Sequence, residues 1–472
     1  MNDVELCYVP AVELAGAIRA KAVSPVEVVE AVLARIERLN PSLNAYCTVA
    51  ADLVRAAAKA AEAAVMAGSP LGPLHGVPVS IKDLVATQGL RTTWGSQIHE
   101  HVVPEEDALV VARLKAAGAI VLGKTNTPEY GWTAETDNRL FGPTRNPWNL
   151  ERSAGGSSGG GAAAVAAGLG PLAVGTDGGG SIRIPGAVCG VFGLKPSYGR
   201  VPVYPPSAAE SLSHTGPMTR TVADAALMLR VMAGPDERDR NSLPADGTDY
   251  LQVLGEGIRG LRAAWSPDLG YAVVDPAVRD ACEGAAQAFE GLGCRVEPAA
   301  PGFPDLTETW CMHFYGAIGA KLAPYLPAWR DRMDPGLVQW VENGRAITAF
   351  QVAEAGFRRA ELWDTVRRFF ARYDLLLTPS VAVPALPLGK TETIQIAGQQ
   401  VPWWKAFPFN FPFNLTGQPA ATVPCGWTGD GLPIGLQIVG RRHADATVLR
   451  AAAAFEAARP WAGRRPPDGP AG

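Results

Sequence analysis

Three side chains of this sequence are of the types that nucleophilic catalysis needs: Lys82, Ser157 and Ser181. Lys82 ends the apolar run Val77-Pro78-Val79-Ser80-Ile81. Ser157 lies inside Gly155-Gly156-Ser157-Ser158-Gly159-Gly160-Gly161. Ser181 closes Asp177-Gly178-Gly179-Gly180 and is followed by Ile182-Arg183. A serine hydroxyl is a weak nucleophile until a base takes its proton. Lysine becomes such a base when burial lowers its pKa from ~10.4 toward neutrality, and a three-unit shift corresponds to ~4 kcal/mol. Asp83 would oppose that shift if it faced Lys82, so it is expected to point away. Bare backbone beside a serine lets N–H groups converge on a developing oxyanion, and one such donor contributes ~3–4 kcal/mol.

Two other patterns compete for the same segments. Gly118-Ala119-Ile120-Val121-Leu122-Gly123-Lys124-Thr125 has the letters of a P-loop nucleotide site. A phosphate cradle needs an irregular loop with inward amides, whereas Ala119–Leu122 reads as a buried strand entered from a helix that Gly118 ends. Gly155-Gly156-Ser157-Ser158-Gly159 has the letters of the α/β-hydrolase nucleophile elbow. That motif needs a strand directly before it and an acid and a histidine after it. Asn146–Arg152 reads as a loop, and nothing marks His214, His313 or His443 as a base.

With both serines and the lysine in this order, the chain resembles the amidase signature family. The motifs that carry the resemblance are Gly76–Asp83, Gly123–Asn126, the glycine-serine block at 155–161, Gly175–Pro185 and Cys189–Pro196. It covers most of 10–235 strongly and 415–460 more loosely, and 240–410 is where members of such a family differ. The resemblance implies an α/β fold with a large mixed central β-sheet covered on both faces by helices. It implies C–N bond hydrolysis through an acyl-enzyme, with no cofactor and no metal. Ser181 would be the nucleophile, Ser157 the bridging serine after a cis peptide bond, and Lys82 the general base. The backbone of Gly178, Gly179, Gly180 and Ser181 would form the oxyanion hole. Gly161 and Gly178 depart from the usual residues, without removing a catalytic group. Thr176, Asp177, Arg183 and Ser158 are candidate supporting residues, and an Asp177–Arg183 pair across the turn would brace the glycine loop. Within the same family, the alternative is one subunit of a glutamine amidotransferase, which works on charged tRNA beside partner proteins.

The elements that must position these groups follow from patterning. Ser24-Pro25-Val26-Glu27 reads as a capping box with proline at the first helical position, opening a helix within a helical part at 1–70. Val77–Ile81, Ala119–Leu122, Leu172–Val174, Leu375–Leu377 and Ile434–Val439 read as buried strands. Ala108–Ala117, Gly161–Ala167, Thr221–Met232 and Ala444–Ala457 read as helices, and 305–370 is helical in pattern. The alternation predicts an α/β sheet. The whole chain, 1–472, reads as one domain: a signature core at 71–240, a substrate-shaping region at 241–410 and a return to the core at 411–460. The Pro/Gly-rich tail 464–472 is expected to fray.

The totals exclude several classes. The chain has 472 residues, 47% hydrophobic and 19% charged, with a formal net charge of −4. That composition supports a large core and does not point to a disordered chain, and it has no basic stripe for nucleic acid. The apolar runs are too short for a membrane span, and the N-terminus lacks a signal-peptide pattern, so a cytoplasmic protein is expected. Its seven cysteines form no Cys-x-x-Cys pair. The candidate pocket residues Tyr130, Trp132, Trp310, Phe314, Tyr315, Trp403 and Phe409 are aromatic. They predict an uncharged, hydrophobic or aryl amide, ester or carbamate substrate, acted on by a monomer or homodimer.

Overall fold

The buried runs become strands of one 11-stranded mixed sheet in the computed structural model, which describes residues 2–389 and 392–468. In chain order the first strands are β1 (Tyr46–Val49), β2 (Pro78–Lys82), β3 (Ile120–Thr125), β4 (Arg145–Asn146) and β5 (Asn149–Ser153). Next come β6 (Leu172–Asp177), β7 (Phe192–Lys195), β8 (His214–Thr219), β9 (Arg262–Trp265) and β10 (Arg295–Pro298). The last are β11 (Leu375–Pro379), β12 (Thr393–Ile396), β13 (Gln399–Pro402), β14 (Ala420–Trp427) and β15 (Pro433–Gly440). The large sheet runs β1-β3-β2-β6-β8-β7-β14-β15-β11-β9-β10, and β4–β5 and β12–β13 are separate hairpins. β2 is parallel to both β3 and β6. The neighbours from β6 to β11 are antiparallel, and β11, β9 and β10 are parallel again. Helices cover both faces.

The parallel pairing of β2 with β6 is what builds the site. Every residue of Pro78–Lys82 is buried, which is why the strand reads as a continuous apolar run. Ile81 lies opposite Val174, so the C-terminal ends of both strands emerge at one edge. One end delivers Lys82, and the other delivers Thr176 and Asp177. The carboxyl ends of parallel strands are the usual place for a ligand site in α/β sheets.

The helix Gly159–Ala166 packs under this edge, and its glycines permit the approach. A Cβ on Gly160 would stand 2.4 Å from the Asn126 backbone nitrogen and 2.5 Å from the Ala45 carbonyl oxygen. Ser24 caps the helix Pro25–Leu43 through a complete capping box with Glu27. Three helices fill most of the 305–370 region: Thr307–Leu322, Pro335–Ala346 and Ala349–Phe370. Among the described residues, no helix is long and apolar enough to cross a membrane.

Several expectations need correction. The segment 146–152, read as a loop, contains the turn and most of the β4–β5 hairpin. β8 has no legible strand signal, because it is buried throughout and carries Gly216 and Pro217. The tail is anchored up to Asp468. Trp461 donates its indole N–H to the Arg220 carbonyl at 2.8 Å, Arg465 lies over the Tyr8 ring, and Asp468 pairs with buried Arg35. Residues 469–472 lie outside the described residues.

Gly160→Ala is expected to destabilise the protein by about 1–3 kcal/mol, because the added methyl meets backbone that cannot turn aside. Urea unfolding checks this; an unchanged midpoint would show that the helix has room to shift.

Candidate active site

The lysine and the first serine meet at the sheet edge. Lys82 is fully buried, and its Nζ lies 2.7 Å from Ser157 Oγ and 3.0 Å from Thr176 Oγ1. Burial holds its pKa well below the usual lysine range, opposed by the Asp177 charge. Asp83 is turned away, accepting hydrogen bonds from the Thr93 backbone N–H and hydroxyl. The Gly156–Ser157 peptide is cis. Ser157 is 2% exposed, whereas Ser181 is partly open to a cavity of about 1180 Å³ that both serines line. Ser158 ties the two glycine-rich segments together. Its backbone N–H donates to the Ser181 carbonyl at 3.2 Å, and its hydroxyl donates to the Thr176 carbonyl at 3.2 Å.

The glycine loop is organised around the Asp177 carboxylate. Arg183 Nε and Nη2 each reach it at 2.9 Å, the Gly180 N–H at 2.7 Å, the Ile182 N–H at 3.2 Å and Asn414 Nδ2 at 2.9 Å. Both members of the Asp177–Arg183 pair are fully buried. The Arg183 charge and these donors hold the Asp177 carboxyl far below the usual carboxylate range, against its burial. Arg183 in turn donates to Gln437 Oε1 at 2.8 Å and Asn414 Oδ1 at 2.6 Å.

This arrangement divides the loop amides into two sets. The Gly180 N–H is spent on Asp177, so Gly180 is not an oxyanion donor, contrary to the expectation from sequence. The N–H groups of Gly178, Gly179 and Ser181 have no acceptor among the described residues, and Gly178, Gly179 and Ser181 all line the cavity. An oxygen between them would receive preorganised donors.

Aromatic residues build the cavity wall. Tyr130, Trp132, Trp310, Phe314, Tyr315 and Trp403 all line it. Phe409 does not: it is fully buried, and its backbone carbonyl accepts from Gln437 Nε2 at 2.9 Å. Trp340 and Phe411 also belong to the wall. Trp340 lies 5.2 Å from Trp132, 4.3 Å from Tyr315 and 5.6 Å from Phe314, and Phe411 stacks at 4.7 Å on Trp310. No local motif marks these two; only the run of aromatics in their segments does. The wall carries more charge than its aromatic segments suggest, since exposed Glu308, Lys321 and Glu392 stand among the lining residues.

The competing patterns have other roles. Residues 120–125 are strand β3, so the backbone offers no phosphate cradle. Lys124 is fully buried and donates to the Val85 carbonyl and the Thr87 hydroxyl, and burial lowers it to about 8. His214 faces the Leu212 and Asp177 carbonyls through Nδ1 at 2.8 and 3.2 Å, which requires the proton on Nδ1. Among the described residues no histidine bonds to Ser157 or Ser181, and no three His, Cys, Asp or Glu side chains are grouped to hold a metal ion.

The amidase family model matches residues 27–449. An acylamidase of Rhodococcus erythropolis is 43% identical over 99% of both chains. The crystal structure of a bacterial aryl acylamidase of the amidase signature family superposes with a TM-score of 0.91 at 36% identity, over 97% of this chain and 99% of that one. A glutamyl-tRNA(Gln) amidotransferase subunit of Geobacter metallireducens is 37% identical over 95% of this chain and 97% of its own. The chain belongs to the amidase signature family. It is an amidase, a hydrolase of C–N bonds.

Arg183→Met leaves the Asp177 carboxylate buried without its cation and is expected to cost about 3–5 kcal/mol. Thermal and urea unfolding read this directly. A loss below about 1 kcal/mol would mean that the amide and Asn414 donors suffice.

Proposed function

We propose that the protein hydrolyses uncharged, hydrophobic or aryl amides, and carbamates and esters of similar shape, through a Ser181 acyl-enzyme. The observation that carries this reading is that a buried Lys82 is bonded to the Ser157 hydroxyl, and that Ser157 and a partly exposed Ser181 line one aromatic-walled cavity. Ser181 Oγ attacks the substrate carbonyl carbon. Its proton passes to Ser157 Oγ while the Ser157 proton passes to neutral Lys82 Nζ. The N–H groups of Gly178, Gly179 and Ser181 receive the oxyanion. The relay then returns a proton to the departing nitrogen, and the C–N bond breaks. Water enters by the same route and releases the acid. Asp177, Arg183, Thr176 and Ser158 hold the relay and the glycine loop in register. The aromatic wall contributes affinity for apolar acyl or aryl groups at about 25 cal/mol per Å² of apolar surface buried.

Relatives named as amidotransferase subunits favour a second reading, a glutaminase that works only beside partner proteins. Assaying the purified lone chain on an anilide, an aryl ester, an aryl carbamate, glutamine and a charged amino-acid amide separates the two. The neutral aryl substrates are expected to be turned over and glutamine not. Turnover of glutamine alone, or a preference for the charged amide, would overturn the proposal.

Ser181→Ala is expected to lower kcat by about 10³-fold or more, and Lys82→Met by about 10²- to 10⁴-fold. Below its depressed pKa Lys82 is protonated and cannot accept a proton. The wild-type kcat/KM is therefore expected to rise with pH through that pKa, at a midpoint below the ordinary lysine value of 10.5. The rising limb should vanish in Lys82→Met. A fluorophosphonate label found on Ser157, with Ser181→Ala still acylated, would reverse the roles of the two serines.

A further inference from the structure

The direction of each free loop amide is set by what binds the carbonyl of the same peptide. In a trans peptide the C=O of one residue and the N–H of the next point in opposite directions. Holding the carbonyl from behind therefore aims the N–H forward. The Asp177 carbonyl accepts from Asn414 Nδ2 at 3.0 Å and from His214 Nδ1 at 3.2 Å, which aims the Gly178 N–H. The Gly180 carbonyl accepts from the Ile184 N–H at 2.7 Å, which aims the Ser181 N–H. The Gly178 carbonyl accepts from the indole Nε1 of Trp310 at 2.8 Å, which aims the Gly179 N–H.

Trp310 differs from the other holders in where it comes from. Asn414 and Ile184 belong to helices that carry the Asp177–Arg183 network. Trp310 lies on the helix Thr307–Leu322, within the cavity wall. Its ring is clamped between Phe314 and Phe411, each with ring centroids 4.7 Å from its own. It also fills the space beside Gly179: a Cβ there would stand 2.6 Å from Trp310 Cζ2. A single side chain thus meets the substrate space on one side and grips the loop on the other.

We propose that Trp310 is a positioning residue for the oxyanion hole: its indole N–H fixes the Gly178–Gly179 peptide so that the Gly179 N–H faces the developing oxyanion. The inference rests on the reading of Ser181 as nucleophile. It assigns Trp310 a part in the chemical step as well as in the pocket wall. An apolar group pressing on the aromatic clamp would then tighten the peptide that stabilises the transition state, so good substrates would gain in kcat as well as in KM.

The test compares Trp310→Phe with replacement of Trp310 by benzothienylalanine, which keeps the bicyclic ring and exchanges only the N–H for sulfur. Both are assayed on an aryl anilide and with two inhibitors. One is an aryl trifluoromethyl ketone, which forms a tetrahedral adduct with serine; the other is the matching alcohol, which does not. Both variants are expected to lose about 10- to 100-fold in kcat, with KM changed less than about threefold. The ketone should weaken in parallel with kcat, and the alcohol should bind as before. Wild-type kcat in the benzothienylalanine protein would overturn the inference, as would a rise in KM alone or equal loss of ketone and alcohol affinity. Fluorophosphonate labelling of the wild-type protein separates the two claims. A label absent from Ser181 removes the underlying reading, whereas a label on Ser181 with unaltered variant kcat removes only the role of Trp310.

Discussion

A carboxylate buried at the end of β6 is the constraint from which the rest of the site follows. Asp177 is fully buried, so its charge must be met by polar groups from several directions. Arg183 supplies the cation, and the Gly180 and Ile182 amides and Asn414 supply neutral donors. Satisfying that carboxylate bends the chain from strand into helix within a few residues. Gly180 takes a φ of +118°, open to glycine and rarely to other residues. The Gly178, Gly179 and Ser181 amides are not consumed by Asp177, and their residues line the cavity. The proposed oxyanion donors are thus a by-product of neutralising a buried anion, and the buried Asp177–Arg183 pair braces the loop that carries them.

The same edge explains why β2 and β6 must be parallel neighbours. As the proposed base, Lys82 would need apolar surroundings to lose its proton and a hydroxyl to receive one from. Strand β2 provides the first, and the helix beginning at Gly159 brings Ser157 to the second. Asp177 also acts on Lys82, raising its pKa against desolvation. Arg183 pairs with Asp177 in turn. The network therefore bears on both ends of the proposed relay: it holds the loop and places a carboxylate charge near Lys82.

The chemical groups are more legible in the sequence than the surfaces around them. Lys82, Ser157 and Ser181 are marked by local context, because a buried strand end and runs of glycine are rare and have physical causes. The core strands β2, β3, β6, β11 and β15 announce themselves as apolar runs, with their ends placed to within three residues. β8 stays hidden, since burial throughout removes alternation. The exclusion of Gly180 from the free amides is not legible, because it depends on which N–H the Asp177 carboxylate reaches in three dimensions. Phe409 is wrongly placed in the pocket by its sequence context for a similar reason. It shares its segment with cavity-lining Phe407 and Phe411, and only packing decides which ring faces inward.

Burial alone does not select the base. Lys82, Lys124 and Lys195 are all fully buried, and desolvation lowers the pKa of each. Their partners distinguish them. Lys195 donates to the Gln418 and Pro196 carbonyls, and Lys124 to the Val85 carbonyl and one hydroxyl. A carbonyl can only accept, so it favours an amine that donates. Both partners of Lys82 are hydroxyls, on Ser157 and Thr176, and a hydroxyl can donate as readily as it accepts. The neutral amine of Lys82 can therefore direct its lone pair at the Ser157 proton while donating an N–H to Thr176 Oγ1. Once it takes that proton, both hydroxyls can accept from the ammonium. Of the three lysines it alone has two hydroxyl partners, and these can reverse their hydrogen bonds as its protonation state changes.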